Sequence, residues 1–220
     1  MAPRPARGVL ITLEGGEGSG KSTQAQALAA RLRADGDAVR LTEEPGGTSL
    51  GRWVWEFFQG KAGHSPGAPD PRAELFLFEA ARAQHVAEVI RPALDGGEIV
   101  VCDRFTDSTV AYQGYGRGLS LAEIEACNQI ACAGLRPDLT LLLDLPAETG
   151  LARAERARQS GKLHDSIGGE SLAFHRRVRE GFVEIARREP ERVKVLDASA
   201  AADAVTDAVW RLVAGVLPAT

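Results

Sequence analysis

Apolar residues in this chain come in two rhythms that alternate from one end to the other. Short, nearly continuous apolar runs occur at Gly8 to Gly16 (GVLITLEGG), Ala38 to Thr42, Glu98 to Asp103, Leu139 to Leu145 and Arg192 to Ala198. Runs of that length, apolar on both faces, predict strands of a parallel sheet covered by helices on both sides. Between them lie segments with helical spacing: Lys21 to Gly36, Arg72 to Leu94, Ser120 to Ala133, Ala147 to Gln159, Ser171 to Arg188 and Ala201 to Val216, several bounded by Pro or Gly. The alternation predicts an α/β fold with a doubly wound, five-stranded parallel sheet. No repeat or low-complexity linker interrupts it, so a single domain over residues 1–220 is expected, with 1–8 as a tail. The least regular stretches, Gly60 to Pro71 and Ser160 to Gly169, read as loops, the second within a lid region over 150–170.

Composition narrows the class. At 220 residues, 44% hydrophobic and 25% charged, the chain can bury about 70% of its unfolded surface in one core. Its 26 basic against 30 acidic residues give a formal charge of −4, which excludes a strongly basic nucleic-acid-coating protein, and no nucleic-acid partner is expected. No apolar run approaches the ~20 residues that span a bilayer, so no membrane partner is expected either. Cys102, Cys127 and Cys132 are odd in number and lack CxxC spacing, which suggests neither a disulfide framework nor a zinc site and points to a reducing cytoplasm. The four histidines show no metal-ligand spacing; they read as loop or polar-face residues without a role.

Chemistry concentrates after the first strand. Gly15-Gly16-Glu17-Gly18-Ser19-Gly20-Lys21-Ser22 fits G-x-x-x-x-G-K-[ST] and opens a helix, as a phosphate-binding loop requires. Backbone N–H groups and the helix N-terminus cradle phosphates, Lys21 brings a point charge to them, and Ser22 offers a hydroxyl to Mg²⁺. A nucleoside triphosphate is the expected ligand. The acid-ended run IVVCDRF places Asp103 at the carboxyl edge of the sheet, where a carboxylate can hold Mg²⁺, and Arg104 next to it can grip two phosphate oxygens at once. No NKxD-type segment follows a later strand, which argues against a guanine-nucleotide switch. The helix around Arg153, Arg156 and Arg158 runs into the polar loop SGKLHDSIGG, and either a solvated face or a closing lid fits that pattern.

The order LEGGEGSGKST, T-x-EPGGTSLG, AELFLFEAARAQH, VVCDRFTDSTVAYQGYGRGL and RPDLTLLLDLPAETGLARA resembles the bacterial thymidylate kinases, enzymes that make dTDP from dTMP and ATP, over the chain from about Val9 to the last helix. The resemblance implies a phosphate-binding-loop kinase with an arginine-rich lid, using Mg²⁺, with ATP and dTMP as partners and a homodimer as the assembly. It assigns ATP contacts to Gly15 through Lys21 together with Ser22 and Thr23, and Mg²⁺ to Ser22 and Asp103. It gives catalytic roles to Lys21, Arg104, Arg153, Arg158 and Glu17, with Glu17 near the acceptor sugar. For dTMP it implies Phe78 stacking on thymine, Arg82 donating to the pyrimidine, Arg104 on the phosphate, Tyr112 crowding the 2′ position, and Ser108, Thr109, Gln113 and Glu44 around them. Leu75, Phe76 and Leu77 beside Phe78 read as core.

The chain departs from that pattern in three places. Glu43 stands where the family usually has Arg, Trp55 where a base holds the acceptor phosphate, and Ser166 in place of the lid's Arg. Arg52, one turn before Trp55, is the candidate substitute, and Lys162 the candidate for the lid. The apolar surface of Ala126 to Leu135 with Trp53, Val54 and Phe57 fits either an interface or a core. Two other readings stay open at this level: a kinase for another nucleotide or a deoxynucleoside, and an ATP-binding regulator without transfer.

Overall fold

The computed structural model describes residues 8–60, 69–159 and 169–217, apart from the Arg158 side chain. Five parallel strands, β1 (Leu10–Glu14), β2 (Val39–Glu43), β3 (Ile99–Asp103), β4 (Leu139–Asp144) and β5 (Val193–Asp197), lie in the order β2-β3-β1-β4-β5. This is the expected sheet, with strand limits within two residues of those the apolar runs predict. The central strands β1 and β3 are buried along their whole length, whereas the edge strands β2 and β5 are only partly covered.

Alternation along β1 sorts its two faces. Ile11 and Leu13 join the core under helices α1 (Lys21–Ala34) and α9 (Ala202–Ala214), with Leu28, Leu32, Leu141, Val205 and Val209. Leu10, Thr12 and Glu14 face the other layer, which contains α2 (Ser49–Phe58), α3 (Pro71–His85), α4 (Arg91–Asp95), α5 (Thr106–Thr109), α6 (Leu121–Cys132) and α8 (Leu172–Arg188). Helix α7 (Ala147–Gln159) follows β4 and packs on α8. The predicted helix from Arg72 runs on past α3 into π-type turns at Val86–Ile90 and then α4, whose Pro92 lies in the first turn, where proline is tolerated.

Two regions depart from the sequence reading. Helix α2 has no counterpart in the periodicity, and Thr106 to Gly116 is α5 continued as a π-helical segment. Threonines, serine and glycines weaken the apolar period there, yet Ala111 and Tyr112 are buried against Phe174, Val178 and Phe182. Most of the two irregular loops, residues 61–68 and 160–168, lies outside the described residues, and with it Lys162 and Ser166.

Candidate active site

At the carboxyl ends of β2 and β3 and beside the loop after β1 lies a cleft of about 920 Å³, lined by Glu17, Gly18, Gly20 to Thr23, Gln26, Glu43 to Gly46, Trp55, Phe78, Arg82, Asp103 to Phe105, Ser108, Thr109, Tyr112, Gln113, Arg153, Ala154 and Ala157. That is where ligands of open α/β sheets bind. Gly15, Gly16 and Ser19 shape the loop without facing the cleft. Gly15, at φ 142°, runs so close to β4 that a Cβ would lie 2.5 Å from the Leu143 carbonyl oxygen. Gly20, at φ 91°, turns the chain into α1.

Lys21 Nζ donates to the Gly16 carbonyl (2.8 Å) and to Ser19 Oγ (3.3 Å), so the ammonium is held across its own loop. Burial, then the neighbouring Arg104 charge, lowers its pKa to about 8. Ser22 Oγ donates to Asp103 Oδ2 at 2.5 Å, while the buried Asp103 Oδ1 has no partner among the described residues. An orphaned carboxylate oxygen beside a hydroxyl that keeps its lone pairs free suits a hard, oxygen-seeking cation, so the residues present fit Mg²⁺.

Arg104 sits immediately after β3 in the left-handed region, at φ 70°, a conformation that a non-glycine residue holds only when its surroundings fix it. They do. Its backbone N–H donates to the Leu13 carbonyl (3.0 Å), Nη1 reaches the Gly15 carbonyl and Ser108 Oγ (both 3.3 Å), and Nη2 pairs with Glu17 Oε1 (3.1 Å). Tyr112 Oη donates to the same Glu17 oxygen at 3.1 Å. Burial opposes ionisation of Glu17, but Arg104 and Lys21 outweigh it and hold the carboxyl below its ordinary value.

Beneath this turn lies Glu14, a residue to which the sequence reading gave no role. Its Oε1 accepts from Phe105 N (2.7 Å) and Ser108 N (3.3 Å), and its Oε2 from Ser108 Oγ (2.6 Å). Burial, then the nearby Asp107 carboxylate, pushes its pKa up to about 8. The strand period is the signal that could have found it: an acid two places after Thr12 on an otherwise apolar face must have partners.

The side of the cleft formed by α3 and the turn after β3 is held by ion pairs. Arg82 is 3% exposed; Nε donates to Glu44 Oε2 (2.9 Å), Nη1 to Glu79 Oε1 (2.7 Å) and Asn128 Oδ1 (2.8 Å), and Nη2 to the Phe105 carbonyl (3.2 Å). Burial disfavours the Arg82 charge, but Glu44 and Glu79 more than offset it and raise its pKa. Glu44, which also lines the cleft, meets His85 Nδ1 with its second oxygen (3.1 Å) and so anchors Arg82. Gln113 Nε2 donates to Glu74 Oε1 (2.8 Å), and Arg117 pairs with Glu74 as well. Phe78 stacks one ring face on Phe58, with centroids 4.9 Å apart and planes 4° from parallel, while it lines the cleft.

Several expectations need correction. Arg52 is exposed, bonds Ser49 Oγ (3.0 Å) and is not part of the cleft wall, because the buried edge of α2 is Gly51, Val54 and Phe58. Trp55 alone of that pair lines the cleft. Phe76 is not core but 60% exposed, because α3 buries Leu75 and Glu79 instead. His85 and His175 are buried rather than on polar faces, with His85 Nε2 against Thr42 Oγ1 at 2.6 Å. Arg153 lines the cleft with Nη1 on the Ala198 carbonyl (2.9 Å), Arg156 is exposed, and the Arg158 side chain lies outside the described residues.

Known proteins are similar to this chain in sequence and in fold. The family model described as thymidylate kinase matches residues 13–209. The thymidylate kinase of Pseudomonas putida (strain W619) is 52% identical over 209 residues, covering 95% of this chain and 98% of its own. That of Deinococcus radiodurans is 48% identical over 208 residues, covering 94% and 97%. The crystal structure of thymidylate kinase from Ehrlichia chaffeensis superposes with a TM-score of 0.74 at 32% identity, covering 94% of this chain and 99% of that one. The matches run along nearly the whole length, and the chain belongs to the thymidylate kinase family.

Proposed function

We propose that the chain transfers the γ-phosphoryl of ATP to dTMP, giving dTDP and ADP, in one cleft whose two ends divide the work. The observation that carries this reading is the continuity of the cleft from Lys21, Ser22 and Asp103 at one end to Phe78, Arg82, Arg104 and Tyr112 at the other. At the donor end the loop N–H groups and the Lys21 ammonium hold the β- and γ-phosphates. Ser22 and Asp103 would hold Mg²⁺, which when bound supplies charge neutralisation between those phosphates.

At the acceptor end Phe78 offers a ring for the base, and Arg82 beside it is fixed by Glu44, Glu79, Asn128 and the Phe105 carbonyl. Arg104, locked by Glu17 and the Gly15 carbonyl, faces the acceptor phosphate. Tyr112 stands against the sugar, and its bond to Glu17 fixes the ring where a 2′-hydroxyl would collide. The acceptor phosphate is already an anion, so no general base is needed, and positioning with charge neutralisation makes up the catalysis. Arg153, on the cleft wall, adds a cation near the transferring group. A coupled ADP-release assay with dTMP, dUMP, dCMP and thymidine as acceptors tests the reading. Release that depends on dTMP supports it, while equal rates with every acceptor, or release indifferent to acceptor, count against it.

A homodimer through α2, α3 and α6 is part of the same proposal. Helix α3 packs against both others, and the three leave Trp53 (53%), Phe76 (60%) and Ile130 (81%) open to solvent. Val54, grouped with this surface from sequence, is buried in the α2–α3 core instead. Light scattering of the pure protein decides the mass. Among the described residues no helix is long and apolar enough to cross a membrane. A cytoplasmic location is proposed alongside, since Cys102, Cys127 and Cys132 form no disulfide among the described residues.

A further inference from the structure

Beside the phosphate-binding loop lies a second concavity of about 310 Å³, between the first turn of α1 and the end of β2, lined among others by Ser22, Gln26, Glu43, Gly46 and Asp103. We infer that it is a site for a hard divalent cation that fills without nucleotide, with Glu43 and Asp103 as its carboxylates and Ser22 as its hydroxyl. The inference rests on the reading above and adds Glu43 to it.

Three observations carry the site. Glu43 and Asp103 are register partners across the parallel β2–β3 pair; partners project to the same face from strands ~4.8 Å apart, so both acids point toward α1. The Glu43 side chain folds back over the turn that follows it, since a Cβ on Gly46 would lie 2.9 Å from Glu43 Oε1. Asp103 is only 8% exposed, and its Oδ1 has no partner among the described residues. No lysine or arginine lines the concavity. Lys21 is tied to Gly16 and Ser19, and Arg104 to Gly15, Glu17 and Ser108.

Two carboxylates facing one hollow that no lysine or arginine lines repel each other, and a divalent ion bound to both removes that repulsion. The donors are all oxygens, with neither imidazole nor thiolate among them, so the class of ion is Mg²⁺, Mn²⁺ or Ca²⁺ rather than zinc or copper. Ser22 and Glu43 are open to solvent, which gives the ion an entry path and water for its remaining positions. An arginine at position 43, as the resemblance leads one to expect, would put a positive charge in the same place; the glutamate reverses its sign.

The test is Mn²⁺ binding to the full, nucleotide-free chain, read by the loss of the free-ion electron paramagnetic resonance signal, for wild type, Glu43→Gln and Glu43→Arg. The expected result is about one Mn²⁺ per chain with Kd on the order of 10⁻⁴–10⁻³ M, displaced by Mg²⁺. Glu43→Gln weakens it about ten-fold or more, and Glu43→Arg abolishes it. Circular dichroism checks that both variants fold, as substitution at a solvent-open position should allow. Wild type that binds no Mn²⁺ without nucleotide, or Glu43→Gln that binds like wild type, overturns the inference. If wild type still makes dTDP from dTMP and ATP in either case, the functional reading stands and only this site falls. Wild type that makes none sinks the functional reading whatever Mn²⁺ does.

Discussion

The donor wall of the cleft comes from one stretch of chain, Gly15 to Thr23, whereas the acceptor wall gathers Phe78 and Arg82 from α3, Arg104 and Ser108 from the turn after β3, and Tyr112 from the π-helical segment. The first, on the proposed reading, relies on backbone N–H groups and one lysine tied to its own loop. The second sets its cations against buried carboxylates, Arg82 against Glu44 and Glu79, and Arg104 against Glu17. A contiguous wall can lose its charge without losing the fold. A wall assembled from distant segments is held together by the same groups that face the ligand, so there binding and stability are linked.

The largest expected effect lies on the acceptor side. Arg82→Ala leaves Glu44 and Glu79 buried without their counterion, and urea unfolding should report a loss of about 3–5 kcal/mol together with a raised KM for dTMP. A loss under about 1 kcal/mol would break the link between pairing and stability. Lys21→Ala should do the reverse, lowering kcat about 10²-fold or more while the melting temperature stays within about 2 °C, since a buried charge disfavoured by its surroundings adds little to stability. If it destabilises as much as Arg82→Ala, the two walls are not different in kind.

Smaller is the effect of pH. Burial lowers the Lys21 pKa to about 8, and on the proposed reading its charged form is the active one. kcat/KM for ATP is therefore expected to be flat below pH 8 and to fall about ten-fold per unit above it, while kcat, governed by an enzyme whose lysine faces bound phosphates, falls at higher pH. Glu14 loses its proton over the same range, so the profile is repeated in Glu14→Gln; a fall that vanishes there belongs to Glu14 and not to Lys21. Smallest of all is Arg52→Ala. With its side chain in solvent and off the cleft, it should change stability by less than about 0.5 kcal/mol and the KM for dTMP by less than about two-fold. A ten-fold rise would return Arg52 to the acceptor wall.

Much of this was legible before any coordinates, and the reason is locality. Five apolar runs specify five strands because a parallel strand buried on both faces needs little but apolar residues. The phosphate-binding loop is equally local, its glycines, lysine and serine being contiguous. The residues that line the acceptor end could be named from the resemblance, but not what holds them. Glu44 and Arg82 are 38 positions apart and meet only because the turn after β2 lies over α3. Helical spacing alone put Arg52 and Trp55 on one face, and the packing of α2 decided which of them reaches the cleft.

What the sequence determined by itself is the sheet, the order of its elements and the chemistry of the donor loop, because those follow from periodicity and from neighbours in the chain. The tertiary structure alone decided that Arg104 is held left-handed over a buried Glu14, that Phe76 faces water while Phe78 beside it faces the cleft, and that Glu43 stands across from Asp103. Each of these depends on which segments are brought side by side. Burial and strand register are properties of the packed chain, and no window of neighbouring residues contains them.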